Sequence, residues 1–575
     1  MAPGDRGPAQ AEVSCLSRRI REMSRAGLRG IAAAGAASVL LQGDAMAPTP
    51  GSLLRPFRSP TFRALMISDF VSDVGGFMQS VGAGWLMISL GAGPMLVALT
   101  QTASALPYFL LALVAGAVAD IVDRRKLLVA ALLWMIAVAG ALAAFTLAGR
   151  ISPWLLLAFT FALAAGAAVA APAWRAIFPE VVGREDLEAA SMLGGIGFNL
   201  ARAVGPGLAG LLIAARGAGI AFLLNALSFV GVVVVVLRWK RPLRVSRVPS
   251  EKVGGATVAA LRYVRYSRDV KSLLVRGGGM MLFGSGLLAL MPTLAREAGG
   301  GAASYGVLLG CFGAGAVLGA VLLQPMRARW TTDQLVTGGS AVVGLAVLAT
   351  ALARPLALLA PLMLASGAGW IAVTSILAAL AQSLAPDWVR ARVTAVWILV
   401  TQGSTAVGSA LWGAAAQHAG MRLALLAAGA GALATVLLRF RFRLPDAAGD
   451  ASPWRNDWPA PALPAGHESD IDGGPVLVTV DYLVEPENEA EFVEAIHDAM
   501  SIRRRDGADR WGVFYDVETP GRYVEAFVVT SWAEHVRQHD RTTMADRPLV
   551  ARLDALTHRR GEPVVRHFLY ARERR

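Results

Sequence analysis

From residue 62 to residue 440 the chain alternates long apolar runs with short polar turns. Six runs cover 62–90, 95–119, 127–148, 153–173, 190–214 and 220–237. After a polar stretch six more cover 275–294, 305–325, 335–353, 356–380, 393–416 and 423–440. A helix needs about 20 mostly apolar residues to cross a bilayer, since the hydrocarbon is roughly 30 Å thick and each residue rises about 1.5 Å. Each run is close to that length. One alone would read as a signal or an anchor; a dozen read as a bundle. The pattern predicts two six-helix groups, 62–237 and 275–444, joined by a polar cytoplasmic linker, 238–274.

Beyond Pro445 the period changes. Residues 445–474 form a Pro/Asp/Gly linker. Val476–Val484 alternates apolar and polar as a half-buried strand does, and Glu487–Arg505 carries Phe492, Ile496 and Met500 at helical spacing. Trp511–Val517 and Tyr523–Thr530 are predicted strands around Pro520-Gly521, Trp532–Leu556 a helix broken near Pro548, and Val564–Tyr570 a last strand. That βαββαβ order is the ferredoxin-like motif. The expected fold class is an all-α membrane protein of twelve transmembrane helices with a small α+β ferredoxin-like cytoplasmic domain at 475–575.

Residues 1–61, rich in Gly, Pro, Ala and Arg, are expected to be a disordered extension. Arg18, Arg19, Arg21, Arg25 and Arg29 precede the apolar run 31–41, and Ala45-Met46-Ala47 follows, which mimics a secretory signal. The favoured reading is a dispensable extension with Met46 a candidate natural start, because the first span inserts by itself.

Composition and charge sharpen this picture. Of 575 residues 55% are hydrophobic and 17% charged, against about 25% charged in soluble domains. The formal charge of +13 would suit nucleic acid, but the basic residues sit in short loops between apolar runs, so no nucleic-acid partner is expected. With both termini in the cytoplasm, nineteen loop Lys and Arg lie inside against five outside, which orients a multi-pass protein of the inner (plasma) membrane with its lipids as surroundings. Cys15 lies in the polar extension and Cys311 in an apolar run, so no structural disulfide is expected. No Gly-rich phosphate loop with its Lys occurs, nor metal-ligand spacing or a nucleophile triad. Neither a primary pump nor a bound cofactor or metal is expected.

The halves echo each other. Pro179 leads through a charged loop into a Gly-rich fifth run, and Pro386 through Arg390 and Arg392 into a Gly-rich eleventh. Repeats of this kind place a substrate site near mid-membrane between the halves. Asp69 and Asp73 are four apart in the first run and share a helix face. If that helix enters the hydrocarbon near Ala64, they lie about 8 and 14 Å deep, and Arg202 in the fifth run about 18 Å deep, one turn from Asn199. Charges at that depth cost a few kcal/mol each, so they normally face a cavity and find a partner. Asp69, Asp73, Asn199 and Arg202 are therefore the candidate substrate and proton pathway, with Asp73 alternating between Arg202 and a proton.

The stretch from Gly116 to Lys126, with Asp120, Arg124 and Arg125, resembles the loop signature of the major facilitator superfamily, with Ile121 and Asp123 where the superfamily usually has Arg and Gly. The runs Pro172-Ala-Trp-Arg175, Pro179-Glu180, Phe198 to Pro206 and Phe222 to Phe229 are similar to the enterobactin-exporter and transmembrane-secretion-effector branch, as are Arg503 to Gly507, Arg510-Trp511-Gly512 and Ser531 to His535. The resemblance implies a secondary-active transporter and makes Gly116, Asp120, Arg124 and Arg125 a gating loop, the two arginines pairing with acids across the cytoplasmic seam. Gly205-Pro206 resembles the Gly-Pro hinge of proton-driven exporters: Pro opens a backbone bond and Gly permits close packing.

The leading expectation is export of a small amphipathic metabolite, siderophore or drug by proton antiport through alternating access. The alternatives are an importer or lipid translocase on the same fold, or a bifunctional chain whose tail is similar to cofactor-free antibiotic monooxygenases, with His497, Trp511, Tyr515, His535 and His539 as candidates. Fold alone does not give activity. The tail is expected to be a regulatory, substrate-handing or self-associating module rather than an enzyme.

Overall fold

A computed structural model describes residues 54–239, 253–353, 355–446, 452, 454, 474–539, 541–557 and 564–570. The signal-like run, Met46 and most of the linker 445–474 lie outside the described residues. The first departure is at the end of the extension: residues 55–58 form a 3-10 turn, and Arg55 bridges Glu185 at 2.7 Å and Asp186 at 3.3 Å. Helix α1 (Pro60–Ser89) starts at once, because the Ser59 hydroxyl accepts from the Phe62 amide and Pro60 sits in the first turn where no N–H is needed.

The N-terminal half continues as α2 (Pro94–Ile121), α3 (Arg124–Leu147), α4 (Pro153–Val181), α5 (Leu187–Arg216) and α6 (Ala218–Arg238). Its core joins Leu65 of α1, Leu128 and Leu132 of α3, Ile177 of α4 and Phe229 and Val236 of α6. Helix α7 (Val253–Tyr266) precedes α8 (Arg268–Glu297), α9 (Ala302–Arg327), α10 (Thr332–Leu352), α11 (Leu356–Ser383), α12 (Asp387–Ala419) and α13 (Met421–Ala434), which tightens into a 3-10 turn ending at Phe440. Among the described residues eleven helices are long and apolar enough to cross a membrane. The twelfth of the set, α1, has 30 residues, about 45 Å of helix, and the polar Asp69, Asp73 and Gln79 interrupt its apolar run. Equivalent turns repeat in the halves: Gly217 between α5 and α6 has φ +80° and Gly420 between α12 and α13 has φ +88°, a left-handed conformation that glycine adopts without a Cβ penalty.

The polar linker is not merely a loop. Residues 253–266 are helical and α8 begins at Arg268, seven residues ahead of the expected 275. Arg262, Arg265, Arg268 and Lys271 mask the signal: hydropathy reads the stretch as polar, yet Ala259, Ala260 and Tyr263 are buried along one side of α7. The described residues fall into two compact units, one drawn from Met1–Leu243, Met281–Val373 and Gly403–Val436, the other from Arg244–Met280, Thr374–Gln402 and Leu437–Arg575. The second therefore joins the tail to α7, the start of α8, the end of α11 and the start of α12.

The tail folds as β1 (Val476–Leu483), α14 (Glu489–Asp506), β2 (Arg510–Tyr515), β3 (Arg522–Val529), α15 (Trp532–His539), α16 (Arg547–Thr557) and β4 (Val564–Leu569). The sheet order is β2-β3-β1-β4 with antiparallel pairs throughout, Val476 facing both Val529 and Leu569. Val476, Val478, Val480 and Tyr482 alternate into a core with Phe492 and Ile496 of α14. The break expected at Pro548 falls earlier, because Pro548 occupies the first turn of α16, where it starts a helix rather than ending one.

Candidate transport site

Helices α1 and α5 lie side by side. A Cβ on Gly197 would meet the Met66 methyl at 3.7 Å, and one on Gly205 would meet Phe77 Cβ at 2.8 Å and the Val74 carbonyl at 3.4 Å. These contacts align residues 66 with 197 and 74 with 205, so Asp69 and Asp73 bracket the level of Arg202. All three are half-buried. Trp174 of α4 donates a hydrogen bond to Asp69. Arg202 lies over the Phe198 ring at 5.4 Å, and Phe198 packs on Phe77 at 5.6 Å. Among the described residues no ion pair joins Arg202 to either aspartate. Asn199 turns back to donate to the Gly195 carbonyl of its own helix at 2.9 Å. The site residues are thus brought to one depth, with aromatic rings beside the guanidinium in place of a carboxylate.

Sequence reasoning missed a second polar contact between α1 and α6. Asn225 is fully buried and its Nδ2 donates to Gln79 Oε1 at 3.4 Å, while Gln79 Nε2 and Asn225 Oδ1 have no partner. Gln79 sits ten residues beyond Asp69, in a run that otherwise reads as apolar, so nothing in the pattern singled it out.

The segment around the hinge residues crosses a second helix closely. A Cβ on Gly210 would lie 2.9 Å from Gly306 Cα, one on Gly306 2.8 Å from Gly210 Cα and from the Pro206 carbonyl, and one on Gly313 2.8 Å from the Arg202 carbonyl. Helices α5 and α9 therefore touch backbone to backbone from near the Gly217 end to the level of Arg202. A second seam joins α2 and α12: a Cβ on Gly413 would meet Ala98 Cβ at 2.5 Å, Gly403 faces Phe109, and Thr102 donates to the Ala406 carbonyl at 3.0 Å.

The expected gating loop spans the end of α2 and the start of α3. Gly116 and Asp120 lie in the last turns of α2, and the side chain of Asp120 is outside the described residues. Asp123, the departure from the superfamily pattern, caps α3 by accepting from the amides of Arg125 and Lys126. Arg124 pairs with Glu180 of α4 at 3.3 Å, and Arg125 donates to the Val236 and Leu237 carbonyls at the end of α6. Both arginines thus hold the N-terminal half together rather than reaching across a seam, since the unsatisfied carbonyls of α6 and the end of α4 lie within their reach.

In the tail the monooxygenase-type candidates separate. His497 packs edge-on against Trp511, Trp511 donates to Glu525 at 2.8 Å, and Tyr515 packs on Tyr523. Glu525, fully buried, also accepts from Arg503 at 3.0 Å and from Tyr482 at 3.0 Å. Against the burial that lowers it, Glu525 holds the Arg503 guanidinium above its usual range, and burial together with Glu525 raises the Tyr482 hydroxyl. His535 and His539 instead meet His567 of β4, which the sequence reading overlooked because it lies in the last strand. The same domain packs on α7 and the start of α12: Arg262 donates to Asp509 at 3.0 Å, Arg505 lies over Tyr263 and Arg541 over Trp388 at 4.5 Å.

Eleven helices long and apolar enough to cross a membrane, counted among the described residues, together with α1 and the glycine-lined seams, define a polytopic transporter of the major facilitator fold. A sequence profile of the family described as "Transmembrane secretion effector" matches residues 51–575. The chain belongs to that family. It is 26% identical over 362 residues to the enterobactin exporter EntS of Salmonella typhi, covering 62% of this chain and 85% of the relative. It is 22% identical over 233 residues to the staphyloferrin A transporter of Staphylococcus aureus (strain NCTC 8325 / PS 47), covering 40% and 58%. Among solved structures it is similar to a bacterial homolog of the human lysosomal transporter Spinster in an inward-facing, unoccupied conformation, with TM-score 0.52, 15% identity and coverage of 68% and 96%. The nucleoside transporter NupG gives TM-score 0.55 at 11% identity, covering 67% and 100%. These likenesses show the fold. The chain is a multi-pass membrane transporter with a small-molecule substrate.

Proposed function

We propose that the chain exports a small amphipathic metabolite of the siderophore class from the cytoplasm, exchanging it for protons by alternating access in the inner (plasma) membrane with both termini inside. The observation that carries the coupling is the level placement of Asp69, Asp73 and Arg202 in α1 and α5 without an ion pair. A carboxylate that is half-buried and unpaired in one state has reason to take a proton there, and to release it when the helices shift and Arg202 approaches. The seams at α5/α9 and α2/α12 favour a conformer closed on the Gly91 and Gly217 side, which this orientation makes the outside. Similarity to siderophore exporters supports the substrate class and direction.

The test is uptake into inside-out vesicles carrying an imposed proton gradient, with a ferric-free catecholate siderophore as probe. Asp73→Asn should abolish gradient-driven uptake yet retain substrate counterflow. Full gradient-driven transport by that variant would remove proton coupling through Asp73, and retained transport in Arg202→Ala would reduce the arginine to packing.

A further inference from the structure

The tail holds a cluster that lies outside the candidate transport site. On α15, His535 and His539 are four apart and project to the same side of the helix. The sheet brings His567 of β4 against them, with ring centroids 4.7 Å from His535 to His567 and 5.0 Å from His535 to His539. One nitrogen from each of the three lies within 4.8 Å of the others. His535 is 1% exposed, and its Nδ1 faces Gln538 Oε1 at 3.3 Å. That contact lets Nδ1 carry the hydrogen and leaves a lone pair on Nε2, the arrangement that metal-binding histidines use to fix their tautomer. Nε2 of His535 and Nε2 of His567 are both buried without a partner.

We propose that His535, His539 and His567 bind a late first-row divalent transition-metal ion of the zinc class. Three imidazoles suit zinc, copper or nickel rather than magnesium or calcium, which prefer oxygen. Tetrahedral coordination at about 2.0–2.1 Å sets nitrogens about 3.4 Å apart, so small ring rotations close the triad. The ligands must be neutral imidazoles, each offering one ring nitrogen's lone pair to the ion. His539 is only half-buried and gives the ion a way in. Beside the triad a pocket lined by Arg503, Asp506, Gln538 and Thr542 leaves a fourth position for water. The ion ties α15 to β4 close to α7, since Glu534 of α15 lies 3.8 Å from Arg262 of α7.

The experiment uses the full chain in detergent, purified through a tag without histidines and stripped with a chelator. Zinc content is measured after dialysis, and cobalt(II) is titrated while its visible d–d bands are followed. The expected result is one saturable equivalent per chain, tetrahedral cobalt bands and a raised melting temperature for the tail. His539→Gln and His567→Gln should each weaken binding at least tenfold while keeping the melting temperature of the stripped wild type, and His497→Gln should bind normally. No saturable binding, or binding unchanged in both His539→Gln and His567→Gln, would overturn the proposal. Because His539 is half-exposed, its variant keeps the test sound even where His535→Gln fails to fold.

Discussion

Replacing Gly306 by alanine should shift the transporter away from the conformer with closed seams. The new Cβ would stand 2.8 Å from Gly210 Cα and from the Pro206 carbonyl. Carbon atoms pack at about 3.5–4.0 Å, so α5 and α9 must part by roughly 0.7–1.2 Å along a contact made of backbone, which cannot rotate aside. Overpacking of this sort costs about 1–3 kcal/mol, charged only to the closed conformer. That corresponds to a population shift of about 5- to 150-fold. Alanine is also the better helix former by about 1 kcal/mol, so helix propensity opposes the damage rather than causing it. Gly207→Ala and Gly310→Ala are matched controls, because a Cβ at either meets nothing within 4 Å. The reporter sits on the other seam. With Cys15 and Cys311 replaced, Ala98→Cys, fully buried between α2 and α12, is labelled with an impermeant maleimide from the Gly91 side. Gly306→Ala should raise its labelling rate by the factor above while both controls match the parent. Equal rates in Gly306→Ala and Gly207→Ala would refute the view that the two seams open together.

Three further outcomes follow from the same structure. Glu525→Gln leaves Arg503 buried without its anion and should destabilise the tail by about 3–5 kcal/mol in denaturant unfolding, most of it recovered when Arg503→Met is added; a loss below about 1 kcal/mol would contradict the buried-pair account. Asp481 accepts from Arg522 at 2.8 Å and Arg566 at 2.6 Å; burial pushes its carboxyl up, but the two guanidiniums outweigh this and hold it below the ordinary range. Its stabilisation is thus complete above about pH 4 and lost as pH falls through the folded value, so Asp481→Asn should cost about 1 kcal/mol or less at pH 7, narrowing in acid, and a pH-independent difference would count against the ion pairs. Single cysteines at Gly91 and Gly149 should react with an impermeant thiol reagent from outside intact cells while those at Ala328 and Ala391 do not, and the reverse pattern would invert the orientation.

Much of this was written in the pattern of residues. A helix crossing hydrocarbon must satisfy its own backbone and present apolar side chains on every side, so the spans are legible as runs with no tertiary information. The tail's strands announce themselves by alternation, and Val476, Val478 and Val480 fill the core that the alternation assigned to them. Helix α7 was hidden because its apolar residues form only one stripe among arginines. Other features depend on residues distant in sequence. That Arg124 seeks Glu180 and Arg125 the end of α6 follows from which helix ends the bundle brings together, not from the loop signature. Arg202 lies level between Asp69 and Asp73 rather than deeper than both as depth arithmetic places it, because the level is set by how α1 and α5 pack, and its neighbours there are the Phe198 and Phe77 rings. Likewise His535 and His539 are visible as one turn of helix, whereas His567 joins them only because strand order places β4 beside β1. Periodicity is a local property and survives in the sequence; partner choice belongs to the folded chain, because it depends on which surfaces the closing of the sheet and bundle bring into contact.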